Sequence, residues 1–206
     1  MRDEKIGDFL AQLADRVPAP GGGASAALHV AQAAALLGMV ARYSTGEKYA
    51  EHKLTIERII TETDELRSLA LKMAEDDATA FTAVTDAYQL PKDTDAAKAA
   101  RSAAITTALV GAGKPPAEVI TAAQITIGLA EELLPIGNRN IITDIAAATE
   151  AARAAATTAR LNVEINLGGI KDEQARAELA ARADQVDDIA ARAEQVTAAV
   201  RKEISK

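Results

Sequence analysis

Cysteine is absent from this 206-residue chain. A disulfide framework, a thiolate metal site and a cysteine nucleophile are thereby excluded. Tryptophan is absent too, and three tyrosines and two phenylalanines supply all the aromatic character. No dense lysine and arginine run occurs, and the formal net charge is −7. Nucleic-acid binding needs clustered positive charge and is not expected. The two histidines, His29 and His52, lack metal-ligand spacing, and no metal site is expected. The N-terminal MRDEKIGDFLAQ mixes charges of both signs and has no apolar core, so it does not read as a signal peptide. The most apolar stretch, Ala24 to Val40, is interrupted by Ser25, His29 and Gln32 and is short for a membrane span. A cytoplasmic protein without membrane partners is the expectation.

What remains is alanine, leucine, isoleucine and valine, with 26% charged residues. That composition describes helices that approach one another closely. Apolar residues recur at helical spacing along the chain. Ile6, Phe9, Leu10, Leu13 and Val17 predict a short amphipathic helix, stopped by Pro18 and Pro20. A second helix over about 24–43 is apolar nearly all round, hence central, and self-association would cover what the bundle leaves open. A long helix is predicted over about 47–88. A further helix follows to Val110, then a break at Gly111, Gly113, Pro115 and Pro116, then a stripe from Ile120 to Leu134. Pro135 to Asn138 interrupts again. A helix from Ile141 to Asn166 and a last one capped by Asp172 complete the chain. No strand pattern, fixed-period repeat or long linker appears. Residues 1–206 are expected to form one all-α domain, an antiparallel helical bundle assembling as a dimer or higher oligomer.

Three groups of residues break the helix pattern. Met73, Asp77, Phe81, Val84 and Tyr88 step by four, four, three and four, so Asp77 interrupts an apolar seam. A carboxyl held there has its pKa raised, as a proton carrier needs; pairing with an arginine or capping a neighbouring helix is the plain alternative. Asp144, Asn162 and Asn166 share a small-residue stripe and can line a cavity whose amides suit a heterocycle, or can serve their own helix. Gly21, Gly22 and Gly23, after Pro18-Ala19-Pro20, let backbone approach a ligand at a helix N-terminus, or simply make a turn. Lys92, Arg42, Lys53 and Arg139 lie near helix ends, where they can hold an anion or stay solvated.

These segments together resemble the cyclodeaminase domain of formiminotransferase-cyclodeaminase and the related methenyltetrahydrofolate cyclohydrolases. The resemblance runs from Phe9 to about Asp172. It is carried by Pro18 to Gly23, by Asp77 with Ala80-Phe81, and by Leu90-Pro91-Lys92 with Thr94. Gly137-Asn138 with Asp144, and Asn162-Val163 with Ile165-Asn166-Leu167, complete it. It implies an all-helical dimer with the cleft between subunits and Asp77 as proton donor or acceptor. It also implies Gly21, Gly22, Gly23, Lys92, Asn138, Asp144, Asn162 and Asn166 as substrate-lining positions. The implied reaction is cyclodeamination of formiminotetrahydrofolate to the methenyl form with loss of ammonia. Hydrolysis of the methenyl form on the same site is the alternative, and a non-catalytic helical folate- or partner-binding oligomer is the third reading. No metal or redox cofactor is implied beyond the tetrahydrofolate substrate. Two positions depart from the family pattern: Ala24 stands where serine often follows the glycines, and Thr45-Gly46 where Tyr-Gly is usual.

Overall fold

The computed structural model describes residues 2–206. Seven α-helices and two short 3-10 turns account for the regular structure among them, with no strand. The helices are α1 (Ile6–Ala14), α2 (Gly22–Arg42), α3 (Lys53–Gln89), α4 (Asp95–Ile136), α5 (Ile142–Leu167), α6 (Glu173–Ala183) and α7 (Val186–Ile204).

Paired residues give the helix directions. Gly23 faces Asp77 and Gly38 faces Thr63, so α3 runs antiparallel to α2. Gly22 faces Asn162 while Asn138, just before α5, bonds Tyr43, so α5 also opposes α2. Arg58 pairs with Glu132 and Arg101 bonds Tyr88, which sets α4 against α3. Glu150 bonds Thr197 and Arg160 bonds Asp187, which sets α7 against α5. The antiparallel bundle predicted above is the observed one.

Alanine makes this packing close. Ala24, Ala26, Ala27, Ala33, Ala34 and Ala41 of α2 are fully buried against α3, α4 and α5. Such small side chains shorten the distance between axes, and Val30, Leu37 and Val40 fill the remaining space. The buried hydroxyls cost little. Ser44, Thr63, Thr126 and Thr149 each donate to the carbonyl four residues earlier, at 2.7 to 2.8 Å. By composition α2 and α4 are long and apolar enough to cross a membrane, but both contribute heavily to the bundle core.

Several element boundaries differ from the sequence expectation. The long helix starts at Lys53, after a 3-10 turn over Glu47–His52. A longer one exists: α4 runs 42 residues straight through Pro115 and Pro116, where a break was expected. The two prolines forfeit only the bonds to the carbonyls of Gly111 and Ala112. Both rings are buried, so packing replaces what the ladder loses. The last helix is two, α6 and α7, with a jog at Asp184 and Gln185 that neither glycine nor proline marks. Among the residues of α1 only Phe9 is buried, and Ile6 and Leu10 remain exposed.

The seam of α3 positions the site. Ile59, Thr63, Leu66, Ala70 and Met73 are buried, but Phe81 and Tyr88 are exposed. The C-terminal part of α3 and the N-terminal part of α4 form a largely exposed hairpin arm, and Asp77 stands where the seam leaves the core.

Candidate active site

The α2 N-terminus is built without a side-chain cap. Gly21 is the N-cap residue in extended conformation, and it has no side chain to offer the free N–H groups of the first turn. Asp77 reaches across from α3 to the first turn of α2, against Gly23, where the Ala24 N–H favours its charged form. The plain alternative, a carboxylate that caps a neighbouring helix, is therefore realised. The same carboxylate also lines a cleft of about 280 Å³ with the glycines, Phe81, Val84, Asn162 and Asn166. No arginine or lysine lines that cleft among the described residues, and Asp77 is its one ionisable side chain there. Burial pushes the Asp77 carboxyl above its ordinary pKa; the Ala24 N–H pulls the other way without cancelling it.

Asn162 and Asn166 face Asp77 from the C-terminal end of α5. Their amide groups donate to the carbonyls of Thr158 and Asn162, at 2.9 and 2.8 Å. These back-bonds orient the side chains and leave each Oδ1 available as an acceptor. Ile165, 80% exposed, and Phe81, 49% exposed, give the mouth of the cleft an apolar rim. One group able to move a proton, two amide acceptors and apolar flanks suit a flat, polar-edged ring with its reacting atom at Asp77.

The other expected site residues lie elsewhere in the chain. Asn138 bonds the Tyr43 carbonyl at 3.0 Å and, through its backbone N–H, Ser44 Oγ at 2.8 Å. These contacts tie it to the far end of α2, about 30 Å from Gly23 along a 21-residue helix. Asp144 sits in the first turn of α5, at that same far end. The stripe shared by Asp144, Asn162 and Asn166 therefore does not line one cleft within the chain, because its members are separated by the length of α5.

Lys92 belongs to an adjoining groove of about 360 Å³ with Tyr88, Lys98, Arg101, Ser102 and Lys171. That groove begins one turn beyond the cleft: Val84 gives way to Tyr88 on α3, and Ala112 to Leu109 on α4. Arg101 donates to the Tyr88 carbonyl at 3.0 and 3.2 Å and lies over its ring, 5.5 Å from the centroid. Lys98 pairs with Asp95 at 3.0 Å, and Lys171 reaches Ser102 Oγ at 3.4 Å. Sequence reasoning missed Arg101 and Lys171, which meet only because the end of α5 folds against α4. A larger groove of about 580 Å³, between α4 and α6, shares no lining residue with the Asp77 cleft.

Residues 5–185 match the family described as Formiminotransferase-cyclodeaminase. The chain belongs to that family. Among curated members, the methenyltetrahydrofolate cyclohydrolase of Methylorubrum extorquens is 40% identical over 82% of both chains. The formimidoyltransferase-cyclodeaminase of Mus musculus is 31% identical over 83% of this chain, which spans 32% of that relative. The crystal structure of the formiminotetrahydrofolate cyclodeaminase from Thermotoga maritima superimposes with a TM-score of 0.84 at 27% identity, covering 99% of this chain and 97% of that one. Members of the formiminotransferase-cyclodeaminase family under these names are enzymes, and the reading as a non-catalytic oligomer is set aside. All of α7 lies beyond the matched residues 5–185, while the structural superposition covers 99% of the chain.

Proposed function

We propose that the chain is a one-carbon folate enzyme that uses Asp77 as its proton carrier, and that its reaction is the hydrolysis of 5,10-methenyltetrahydrofolate. The observation that carries the chemistry is Asp77 itself, a raised carboxyl alone in a cleft with two amide acceptors. The hydrolytic direction is favoured by the cyclohydrolase relative, which matches 82% of both chains at 40% identity. The cyclodeaminase direction is the second reading, favoured by the name of the superimposed Thermotoga protein.

In the hydrolytic direction, water adds to the methenyl carbon between N5 and N10. The ionised Asp77 takes one proton from that water. The tetrahedral centre then collapses: the carbon–N5 bond breaks, the formyl group stays on N10, and N5 receives the proton held by Asp77. The second water proton leaves to solvent. In the cyclodeaminase direction, N10 attacks the formimino carbon, and a proton passes from N10 towards the departing ammonia. Either route needs the same group in the same place.

The groove around Lys92, Arg101 and Lys171 supplies local positive charge to an acidic protein, next to the cleft. It suits the carboxylates of the glutamyl tail. Arg101→Gln is expected to raise KM roughly tenfold while sparing kcat, as loss of one charge-assisted hydrogen bond does. Self-association is part of the same reading. Asn138 and Asp144 would enter an Asp77 cleft only as residues of a second copy.

The deciding assay offers purified protein the methenyl and formimino substrates separately and follows methenyl absorbance. Loss of methenyl absorbance well above the spontaneous rate is the expected result. Turnover of the formimino compound alone would favour the second reading, and inertness towards both would remove the folate assignment.

A further inference from the structure

We propose that Gly23 is a positioning residue: its missing side chain leaves the seat that the Asp77 carboxylate occupies on the first turn of α2. The proposal rests on the reading of Asp77 as the proton carrier, and it reassigns this glycine from contacting substrate to holding the acid.

The three glycines of the run are not equivalent. A Cβ built on Gly23 would lie 2.0 Å from Asp77 Oδ1, 2.4 Å from its Cγ and 2.6 Å from Oδ2. A Cβ on Gly22 would meet only Asn162 Nδ2, at an ordinary 3.8 Å. A Cβ on Gly21 would meet nothing within 4 Å. Backbone approach to a ligand would ask for openness at all three. Only Gly23 is already filled, and it is filled by the carboxylate. None of the three has a positive φ, so backbone conformation does not select glycine here.

The seat has two consequences for the acid. It places the carboxylate on the Ala24 N–H, at the positive end of α2, which favours the charged form. It also withdraws the carboxylate from water, which favours the neutral form and is the larger of the two effects. No other charged side chain enters. The cleft lining from α2, α4 and α5 carries none among the described residues, and on α3 the neighbouring Asp76 is engaged by Lys72. Gly23 thus fixes both where the proton is held and how tightly.

The obstruction in a Gly23→Ala protein would be the mobile end of a short side chain, not backbone. Asp77 can turn away into the cleft that it lines. The chain should therefore fold while its carboxylate moves into water, losing burial and the pull of the Ala24 N–H together.

The test follows the carbon-13 carboxyl signal of Asp77 by NMR during pH titration, in the wild type, Gly23→Ala and Gly22→Ala, with circular dichroism to verify folding. The expected result is a raised midpoint in the wild type and Gly22→Ala, falling towards about 3.9, the ordinary aspartate value, in Gly23→Ala. With substrate, Gly23→Ala should lower kcat at least tenfold and leave KM within about twofold, because its defect is in proton transfer. An unchanged Asp77 midpoint in Gly23→Ala, or a defect confined to KM, would overturn the seat. The titration needs no turnover. A protein inert towards both folates but showing the midpoint shift would lose its proposed function and keep this inference.

Discussion

A carboxylate resting on the first turn of another helix is pulled two ways. The N–H of Ala24 favours its charge, while burial opposes it and prevails. The activity carried by ionised Asp77 should therefore fall as pH is lowered through a midpoint above the ordinary aspartate value of about 3.9. A kcat/KM profile against pH measures this acid limb. Folding follows the same shift. The folded state holds the Asp77 proton more tightly than the unfolded state does. Its contribution is complete below the unfolded pKa and is lost as pH rises through the folded one. Asp77→Asn, which keeps an acceptor for the Ala24 N–H, should match the wild type in acid and exceed its stability above that window. Thermal unfolding of both proteins from about pH 3 to pH 8 would show the gap opening. Asp77 was legible in the sequence because a charged residue interrupts helical spacing between Met73 and Phe81. Its partner was not, because no pattern says that the Ala24 N–H lies opposite. Arg101 and Lys171 were likewise hidden among surface charges until tertiary packing joined them.

Among the elements, Gly23, Gly38 and Gly113 mark places where helices touch. A Cβ on Gly113 of α4 would fall 2.7 Å from Leu179 Cδ1 of α6. Gly113→Ala gains about 0.5–1 kcal/mol of helix propensity and costs about 1–3 kcal/mol of overpacking. A net loss of up to about 2.5 kcal/mol is expected, read as a lowered Tm. A raised Tm would mean that α6 yields without cost. The helices themselves were readable from apolar spacing, and their ends were less so. Gly22 and Gly23 enter α2, because a carboxylate from α3 supplies the cap that local sequence lacks. Pro115 and Pro116 signalled a break that burial overrides. The α6–α7 jog carries no proline or glycine and was not legible at all.

The molecule as a whole leaves apolar surface uncovered. Ile165 and Leu161 on α5, Phe81 and Tyr88 on the arm, and Ile6 and Leu10 on α1 are all exposed. The central position of α2 was foreseen, but most of its apolar surface is covered within the chain, so the open surface lies elsewhere. Where such residues are contiguous, association commonly buries them. Sedimentation velocity at micromolar concentration should show a dimer or a larger assembly. A monomer throughout would leave Asn138 and Asp144 without a route to any Asp77 cleft.

The most direct measurement compares turnover by wild type and Asp77→Asn under saturating methenyl substrate, with matched circular dichroism spectra. A fall of roughly a hundred- to ten-thousand-fold in kcat, with the fold unchanged, is the predicted outcome. An intact, folded Asp77→Asn protein turning over at the wild-type rate would contradict the assignment of the proton to this carboxyl group.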